Sequence, residues 1–195
     1  MASKDGDLKI ILASPNSNEE KPAKACIPDY SIRCDSSIVA SRSEVFRGLL
    51  KHIGEGNSVV LDETLLPRGF ATVLIHFLYT DELDFSLVLF FVFTAHDTSN
   101  EPDFFKVPET TLSQSSLSEA RAIVAGRAPH SPLHYAIQLI HIAKFFILEK
   151  LAQLCEDVIV SALCQESCVS ILSWAIDGGS QYVAQRAQRL AYFPC

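Results

Sequence analysis

The chain has 195 residues, 48% of them hydrophobic, which is enough for one domain with a buried core. Its formal net charge of −7, with lysine and arginine scattered singly, argues against a nucleic-acid binder, which would carry a basic patch. The polar N-terminus lacks the apolar stretch of a secretory signal, and the longest apolar run, 85–93, is too short to cross a membrane. We therefore expect an intracellular protein, cytoplasmic or nuclear, without a membrane span.

The cysteines occur at irregular spacing and include no Cys-x-x-Cys pair. In an intracellular chain this pattern favours buried, reduced thiols over a disulfide framework. Cys164 and Cys168 lie four positions apart and could share a helix face, but zinc would need two further ligands that no spacing supplies. We therefore expect neither a metal site nor a cofactor. The six cysteines are Cys26, Cys34, Cys155, Cys164, Cys168 and Cys195.

The first part of the chain predicts short strands and short helices. Three strands are expected where apolar and β-branched residues alternate or cluster, at 7–12, 30–33 and 58–61. Asp35 is expected to begin a helix over 37–41, and Ser43 is expected to begin a second helix. The inward residues of this second helix are expected to be Val45, Phe46, Leu49, Leu50 and Ile53.

A longer amphipathic helix is predicted to begin at Pro67, because proline is favoured at the first helical position. It is expected to end at 79–81, and an extended segment is expected from Glu82 to Phe85. Its apolar residues recur at three- and four-residue steps and form one buried stripe: Phe70, Val73, Leu74, Phe77 and Leu78.

Two amphipathic helices are predicted within 131–163. The first is expected to have Ser131 as its N-cap and Pro132 at its first helical position. The apolar stripe changes phase after Ile147, so we expect an antiparallel pair that needs other elements to cover it. The first stripe is Leu133, Ala136, Ile137, Ile140, Ala143 and Ile147. The second stripe is Leu148, Leu151, Cys155, Val158, Ile159 and Ala162.

Two more helices are predicted near the C-terminus, the second of them capped by Ser180. Their apolar stripes are Cys168, Leu172, Ala175 and Ile176, and then Val183, Ala187 and Leu190. Short strands followed by a run of helices predict an α+β fold in which a small sheet covers a helical cluster.

Three passages in the same order resemble motifs of the BTB/POZ domain family. Residues 38–46, IVASRSEVF, resemble the family's vLaaRSpvF segment, and 77–81, FLYTD, resemble its FlYTg passage. Ala143, Leu151, Cys155 and Glu156 fall where the family has A…L…CE. The resemblance implies the BTB/POZ fold, a helical cluster capped by a small short-stranded sheet.

Shorter passages resemble the second BTB domain of one family member, so we expect a fragment or variant of such a longer protein. They are 26–37, 117–119, 124–126 and 151–157. We expect a single domain in three parts. These are an N-terminal half at 1–85, a central insertion at 86–130 and the C-terminal helices at 131–195. Within the insertion we expect a strand extension, a polar loop and a helix, at 85–93, 96–109 and 113–125.

The resemblance implies a non-catalytic protein-interaction module that acts in assembly, as a scaffold or in regulation. Association with another BTB domain, of the same or a different chain, would use Val45, Phe46 and Leu49. Adaptor contacts would use two further groups of residues. The first is the joint between two helices at Phe145 and Phe146. The second lies after the Pro67 helix and consists of Tyr79, Asp81, Glu82, Asp84 and Phe85. Resemblance to the one member also implies a role in epithelial cell organisation, morphogenesis and developmental regulation.

Two alternative functions remain. The first is a substrate adaptor of a cullin-RING ubiquitin ligase, favoured by the passage at 79–81 and opposed by the insertion that follows it. The second is a small helical enzyme, but the sequence contains no phosphate-binding loop and no GxSxG or HExxH motif. Asp35 and Ser36 stand where many family members have His-Lys, so the charged pocket that some members use for peptide partners is not expected. Dimerising members have a long helix before the first strand, whereas only residues 1–6 precede Asp7, so their strand-exchanged homodimer is not expected either.

Overall fold

The computed structural model describes residues 6–13, 30–53, 57–88, 132–165, 167–178 and 180–192. These residues form two compact units. The first contains the described residues up to Val88 together with Ile142–Leu148, and the second contains 132–141 and the described residues from Glu149 onward.

A three-stranded mixed sheet lies in the first unit, with the order β2-β1-β3. Its strands are β1 (Leu8–Ala13), β2 (Tyr30–Cys34) and β3 (Ser58–Asp62). The central strand β1 runs antiparallel to β2 and parallel to β3, so that Ile10 lies opposite Ile32 on one side and Val59 on the other. These three side chains are buried, which is the alternation expected when one face of a sheet covers a core. The three predicted strands are confirmed.

Three helices accompany the sheet: α1 (Ser36–Arg42), α2 (Glu44–Leu50) and α3 (Arg68–Thr80). The predicted cap of α2 is confirmed, because the Ser43 hydroxyl accepts a hydrogen bond from the Phe46 N–H. Helix α3 is buried over most of its circumference, and all five residues of its predicted stripe are in the core. Helix α1 packs against α2 and α3, while α3 also contacts β2.

Three expectations for this unit need correction. Asp35 precedes α1 but makes no side-chain cap bond to it, since its carboxylate is bonded elsewhere. In α2 only Phe46 is buried, and the other four residues expected to face inward are only partly covered. Residues 86–88 form a helical turn rather than a strand, because the Asp84 carboxylate accepts the Ser86 N–H and initiates helical geometry. The rest of the predicted insertion, 89–130, lies outside the described residues.

The second unit is helical in its described residues. Helix α4 (Pro132–Phe145) contributes residues 132–141 to it, followed by α5 (Glu149–Ser161), α6 (Cys168–Asp177) and α7 (Gln181–Tyr192). Helix α7 packs against α5 and α6. The Ser180 hydroxyl, just before α7, donates a 2.6 Å hydrogen bond to the Glu156 carboxylate of α5. This bond ties the beginning of α7 to the middle of α5.

Most residues of the predicted C-terminal stripes are buried, but Ile147, Ala162 and Ile176 are exposed. Four others are only half-buried: Leu133, Val158, Leu172 and Leu190. Ala162 lies just beyond the end of α5. Ile176 projects from α6, whose other face already covers the core with Ile171 and Trp174. The α+β class predicted from the sequence is confirmed, and the division at 1–85, 86–130 and 131–195 stays a prediction.

Candidate protein-interaction surface

The junction between α1 and α2 connects both segments that the sequence singled out for adaptor contacts. Arg42 pairs with the Asp81 carboxylate at 2.8 Å, and its Nε–H donates to the Leu78 carbonyl at 3.0 Å. The next residue, Ser43, is buried and donates its hydroxyl hydrogen to the Phe146 carbonyl at 2.9 Å. Two consecutive residues therefore hold the end of α3 and the end of α4 beside one another.

Phe46 and Phe146 lie in the core rather than on a surface. Their rings stack with centroids 4.9 Å apart and planes 14° from parallel, and both side chains are fully buried. A residue without exposed surface cannot contact a partner directly, so the prediction that these two phenylalanines are interface residues is corrected here. An aromatic residue in a motif looks the same in the sequence whether it packs inward or outward.

Phe145 and Ile147 are the exposed apolar residues at this joint, with 46% and 52% of their surface accessible. The rings of Phe145 and Phe146 form a T-shaped contact, with planes at 83° and centroids 5.1 Å apart. The buried Phe146 therefore fixes the position of the Phe145 ring. Ile147 was predicted to continue the buried stripe of α4, and this is wrong. Its exposure makes it a candidate contact residue that the sequence did not indicate.

The backbone explains why Ile147 points outward. Its φ is +54°, in the left-handed region, where the β-branched side chain is disfavoured. The Leu148 N–H donates to the Ala143 carbonyl at 2.8 Å and the Ile147 N–H to the Lys144 carbonyl at 3.2 Å. This pair of bonds is the Schellman closure that usually has glycine at the left-handed position. This closure ends α4 and turns the chain at Ile147, so the Ile147 side chain no longer lies in the apolar stripe of α4.

The acidic segment after α3 is locally ordered by its own side chains. Asp81 ends α3 in the left-handed conformation, with φ of +62°, and Glu82 donates its N–H to the Thr80 hydroxyl. Hydrogen bonds from the Ser86 side chain and, to a smaller extent, from its backbone N–H hold the pKa of the Asp84 carboxyl below its usual range. The Glu82 side chain is exposed, whereas Phe85 is half-buried. Glu82 is thus the member of this group whose side chain is most available to a partner.

Tyr79 is engaged within the fold through its hydroxyl. It donates to the Asp35 carboxylate at 2.8 Å and accepts the Asp35 N–H at 2.6 Å. Burial is the main cause that raises the pKa of Tyr79 to about 12, so the phenol stays neutral. Of the Tyr79 side chain, only part of the ring remains for contacts outside the fold.

A groove of about 270 Å³ lies where β1, α1 and the end of α2 meet. Its apolar lining includes Leu8, Ala40, Leu50 and Ile53. On α2 itself, the predicted association residues Val45 and Leu49 are half-buried. These side chains retain apolar surface that a protein partner could cover, whereas Phe46 between them does not.

The described part of the chain offers no evident reactive centre. It contains no cluster of three or more histidine, cysteine or acidic residues that could hold a metal ion. Burial raises the pKa of the Cys34 thiol to about 12, and burial also raises that of Cys155. Both thiols therefore stay protonated and unreactive. Among the described helices, none is long and apolar enough to cross a membrane.

The chain is similar to curated proteins, although no protein-family model matches it. The human BTB/POZ domain-containing protein 7 is 30% identical over 172 residues, covering 82% of this chain and 13% of that protein. The mouse protein of the same name is 29% identical over 172 residues, covering 82% of the chain and 14% of that protein. The chain belongs to the BTB/POZ domain family. It spans only about a seventh of the length of these BTB/POZ relatives.

Family membership gives the BTB/POZ-like motif at 38–46 a structural role. The motif spans α1, the junction and the beginning of α2, and its Arg42 and Ser43 bind the ends of α3 and α4. Its final residue, Phe46, supplies the aromatic ring that packs on Phe146. In this BTB/POZ chain the buried motif residues Ser43 and Phe46 therefore assemble the fold, while Arg42 of the same motif stays exposed.

Proposed function

We propose that this chain is a non-catalytic BTB/POZ interaction module that binds a protein partner through the α1–α2 junction. The surface concerned consists of Arg42, Asp81, Glu82, Phe145 and Ile147, and we name it the junction surface. The observation that carries the proposal is the pair of exposed apolar side chains at Phe145 and Ile147, held beside an ion pair by the buried Ser43. BTB/POZ homologues are in general interaction modules without catalytic activity.

Binding by this surface would rely on a few apolar anchors in a rigid frame. Phe145 cannot move freely because its ring packs on the buried Phe146. A pre-positioned aromatic side chain loses little conformational entropy when a partner covers it, and such residues dominate interface energetics. Arg42 and Glu82 would supply the polar rim, which contributes more to orientation than to affinity.

Association with another BTB domain is a second mode that we propose for the first unit. The half-buried Val45 and Leu49 on α2, together with the groove lined by Leu50 and Ile53, favour it, since each retains apolar surface. A second copy of this chain or a different BTB domain would fit equally well. Phe46 would act only indirectly, by holding α2 in place.

A cullin-RING substrate adaptor remains the alternative function. The acidic residues that follow Tyr79, with Glu82 exposed, favour it because the family resemblance places adaptor contacts there. An adaptor also needs a second site for its substrate, which would lie in a longer protein. The similarity to the human BTB/POZ domain-containing protein 7, of which this chain spans 13%, supports such a longer protein. A scaffold or regulatory role in epithelial organisation and an intracellular location are proposals on the same basis.

Light scattering on a size-exclusion column tests these modes, first with the chain alone and then with the cullin N-terminal domain. A one-to-one complex that Phe145→Glu and Ile147→Glu abolish would support the adaptor alternative through the junction surface. A concentration-dependent dimer that ignores the cullin would support association between BTB domains. Val60→Glu is the matched control, because Val60 is 62% exposed and lies on β3, which contains no residue of the junction surface. If the control weakens binding as much as Phe145→Glu, the junction surface is not the contact.

A further inference from the structure

Four exposed side chains form a stripe along α7 in the second unit. They are Tyr182, Arg186, Arg189 and Tyr192, which follow one another at steps of three and four residues and are therefore neighbours on a helix. Tyr182 is 39% exposed and Tyr192 is 71% exposed. We name these four residues the α7 stripe. At 1.5 Å per residue the stripe extends over about 15 Å, enough to lie along a short peptide segment.

The two arginines of the α7 stripe are not paired within the part of the chain that the structure describes. Among the described residues, neither Arg186 nor Arg189 takes part in an ion pair. Helix α7 contains no aspartate or glutamate, so the two arginines have each other as charged neighbours, and such like-charge pairs slightly destabilise a helix. The helix dipole favours a cation in the last turn, where Arg189 lies, but it does not account for Arg186. The described contacts of the fold therefore do not explain this pair of cations.

Tyr182 orients the Arg186 side chain. The guanidinium carbon of Arg186 lies 5.6 Å from the centre of the Tyr182 ring, which is the range of a cation–π contact. A guanidinium stacked on a ring keeps the N–H groups along its edge available, and these can donate two parallel hydrogen bonds to one carboxylate. Because the ring already orders the Arg186 side chain, that side chain loses less conformational freedom when it binds.

The composition of the α7 stripe favours an acidic protein segment as its occupant. Tyrosine and arginine are among the residue types that supply most of the binding energy in protein interfaces. The stripe is positive although the chain as a whole has a formal net charge of −7, so an anionic segment is complementary to this place in particular. A nucleic acid fits less well, because binding to a phosphate backbone uses a larger basic patch than two cations.

We infer that the α7 stripe binds an acidic peptide segment of a protein partner. Arg186 and Arg189 each bind a carboxylate of that segment. The exposed rings of Tyr182 and Tyr192 cover the apolar parts of its side chains. This site lies in the second unit and uses neither the junction surface nor the groove at α2, so it gives the chain a further place for a partner.

Fluorescence anisotropy tests this inference with the full chain and a labelled, alanine-based helical peptide that has glutamate at every fourth position. The reference probe is the same peptide with glutamine in place of each glutamate. The chain is expected to bind the glutamate peptide about tenfold more tightly or better, because the arginines bond more strongly to a carboxylate than to an amide. Arg186→Gln combined with Arg189→Gln is expected to weaken binding of the glutamate peptide by about tenfold or more. Tyr182→Leu keeps both cations but removes the ring that orients Arg186, so it is expected to weaken binding by about threefold.

Lys9→Gln combined with Arg33→Gln is the matched control for the double arginine variant. Lys9 lies opposite Arg33 in the β1–β2 pair of the first unit, and both side chains are exposed, so the control also loses two neighbouring cations. Its affinity for the glutamate peptide is expected to stay within about twofold of that of the unchanged chain. Three outcomes overturn the inference: no preference for the glutamate peptide, no loss in the double arginine variant, and an equal loss in the control. A single-stranded oligonucleotide that binds more tightly than the glutamate peptide, and that the double arginine variant no longer binds, would overturn it in favour of a nucleic acid.

Discussion

The hydroxyl of Ser43 donates a 2.9 Å hydrogen bond to the backbone carbonyl of Phe146, 103 positions further along the chain. The same hydroxyl accepts the N–H of Phe46, three positions along. The buried Ser43 side chain thus caps α2 and also provides the hydrogen-bond donor for the Phe146 carbonyl just after α4. The junction surface depends on this contact, because it positions the joint from which Phe145 and Ile147 project.

Replacing Ser43 with alanine is expected to lower the free energy of unfolding by about 1–3 kcal/mol, because the variant loses a helix cap and leaves a buried carbonyl without a partner. Urea denaturation followed by circular dichroism would measure the change. Ser41→Ala is the control, since Ser41 is exposed and its hydroxyl bonds only to the nearby Ile38 carbonyl. Equal losses in the two variants would contradict the role assigned to Ser43.

Phe46 on α2 and Phe145 at the end of α4 are expected to respond differently to truncation. Phe46→Ala removes a fully buried ring and should cost about 3–5 kcal/mol of unfolding free energy through lost burial and a new cavity. Phe145→Ala removes a ring that is nearly half exposed and should cost about 1 kcal/mol or less while weakening partner binding. Chemical denaturation of both variants measures the two losses of unfolding free energy. A larger loss for Phe145→Ala than for Phe46→Ala would contradict the burial of Phe46 and the exposure of Phe145.

The sequence predicted the three strands and the stripe of α3 because their periodicity extends over several residues. It failed where one residue decides the direction of the chain. Ile147 fits the period of the α4 stripe, but the left-handed backbone closure at this residue turns it outward. Phe46 and Phe146 were predicted to be interface residues, but both are buried, and their stacking across distant segments cannot be read from a local pattern. For the same reason Ile176 was expected inside, since α6 offers two apolar faces and only packing selects one.

Ile147→Gly is expected to stabilise the fold by about 0.5–1 kcal/mol. Relief of the left-handed backbone gains about 1–2 kcal/mol, and the greater freedom of glycine in the unfolded chain offsets part of it. Thermal or urea unfolding would measure the gain. Ile147→Ala is the matched control, because alanine also removes most of the side chain but keeps the Cβ atom and hence the strain. Similar effects in both variants would show that the backbone conformation is not the cause.

The described cysteines are expected to differ in their reactivity toward alkylating agents. Cys34 is fully buried with its pKa raised to about 12, and the pKa of the buried Cys155 is also raised, so neither should react in the folded protein at about pH 8. Cys164 is partly exposed, whereas the fourth described cysteine, Cys168, is buried, so Cys164 should react first of the four. Mass spectrometry of peptides after timed labelling would rank them, and the same labelling in urea should remove the difference. Rapid modification of Cys34 in the folded chain would contradict its burial.

Asp7 is expected to make stability depend on pH in the acidic range. The Ser36 hydroxyl and N–H donate to its carboxylate at 2.6 and 2.8 Å, and these bonds hold the pKa of Asp7 below its usual 3.8. A carboxyl with a lowered pKa in the folded state stabilises the fold above its unfolded pKa, and this contribution is lost as the pH falls through the folded pKa. Carbon-detected NMR titration should therefore place the Asp7 pKa below 3.8. Ser36→Ala removes the hydroxyl donor but keeps the N–H, so it should move that pKa only part of the way back. An Asp7 pKa that does not respond to Ser36→Ala would show that the hydroxyl does not carry the shift.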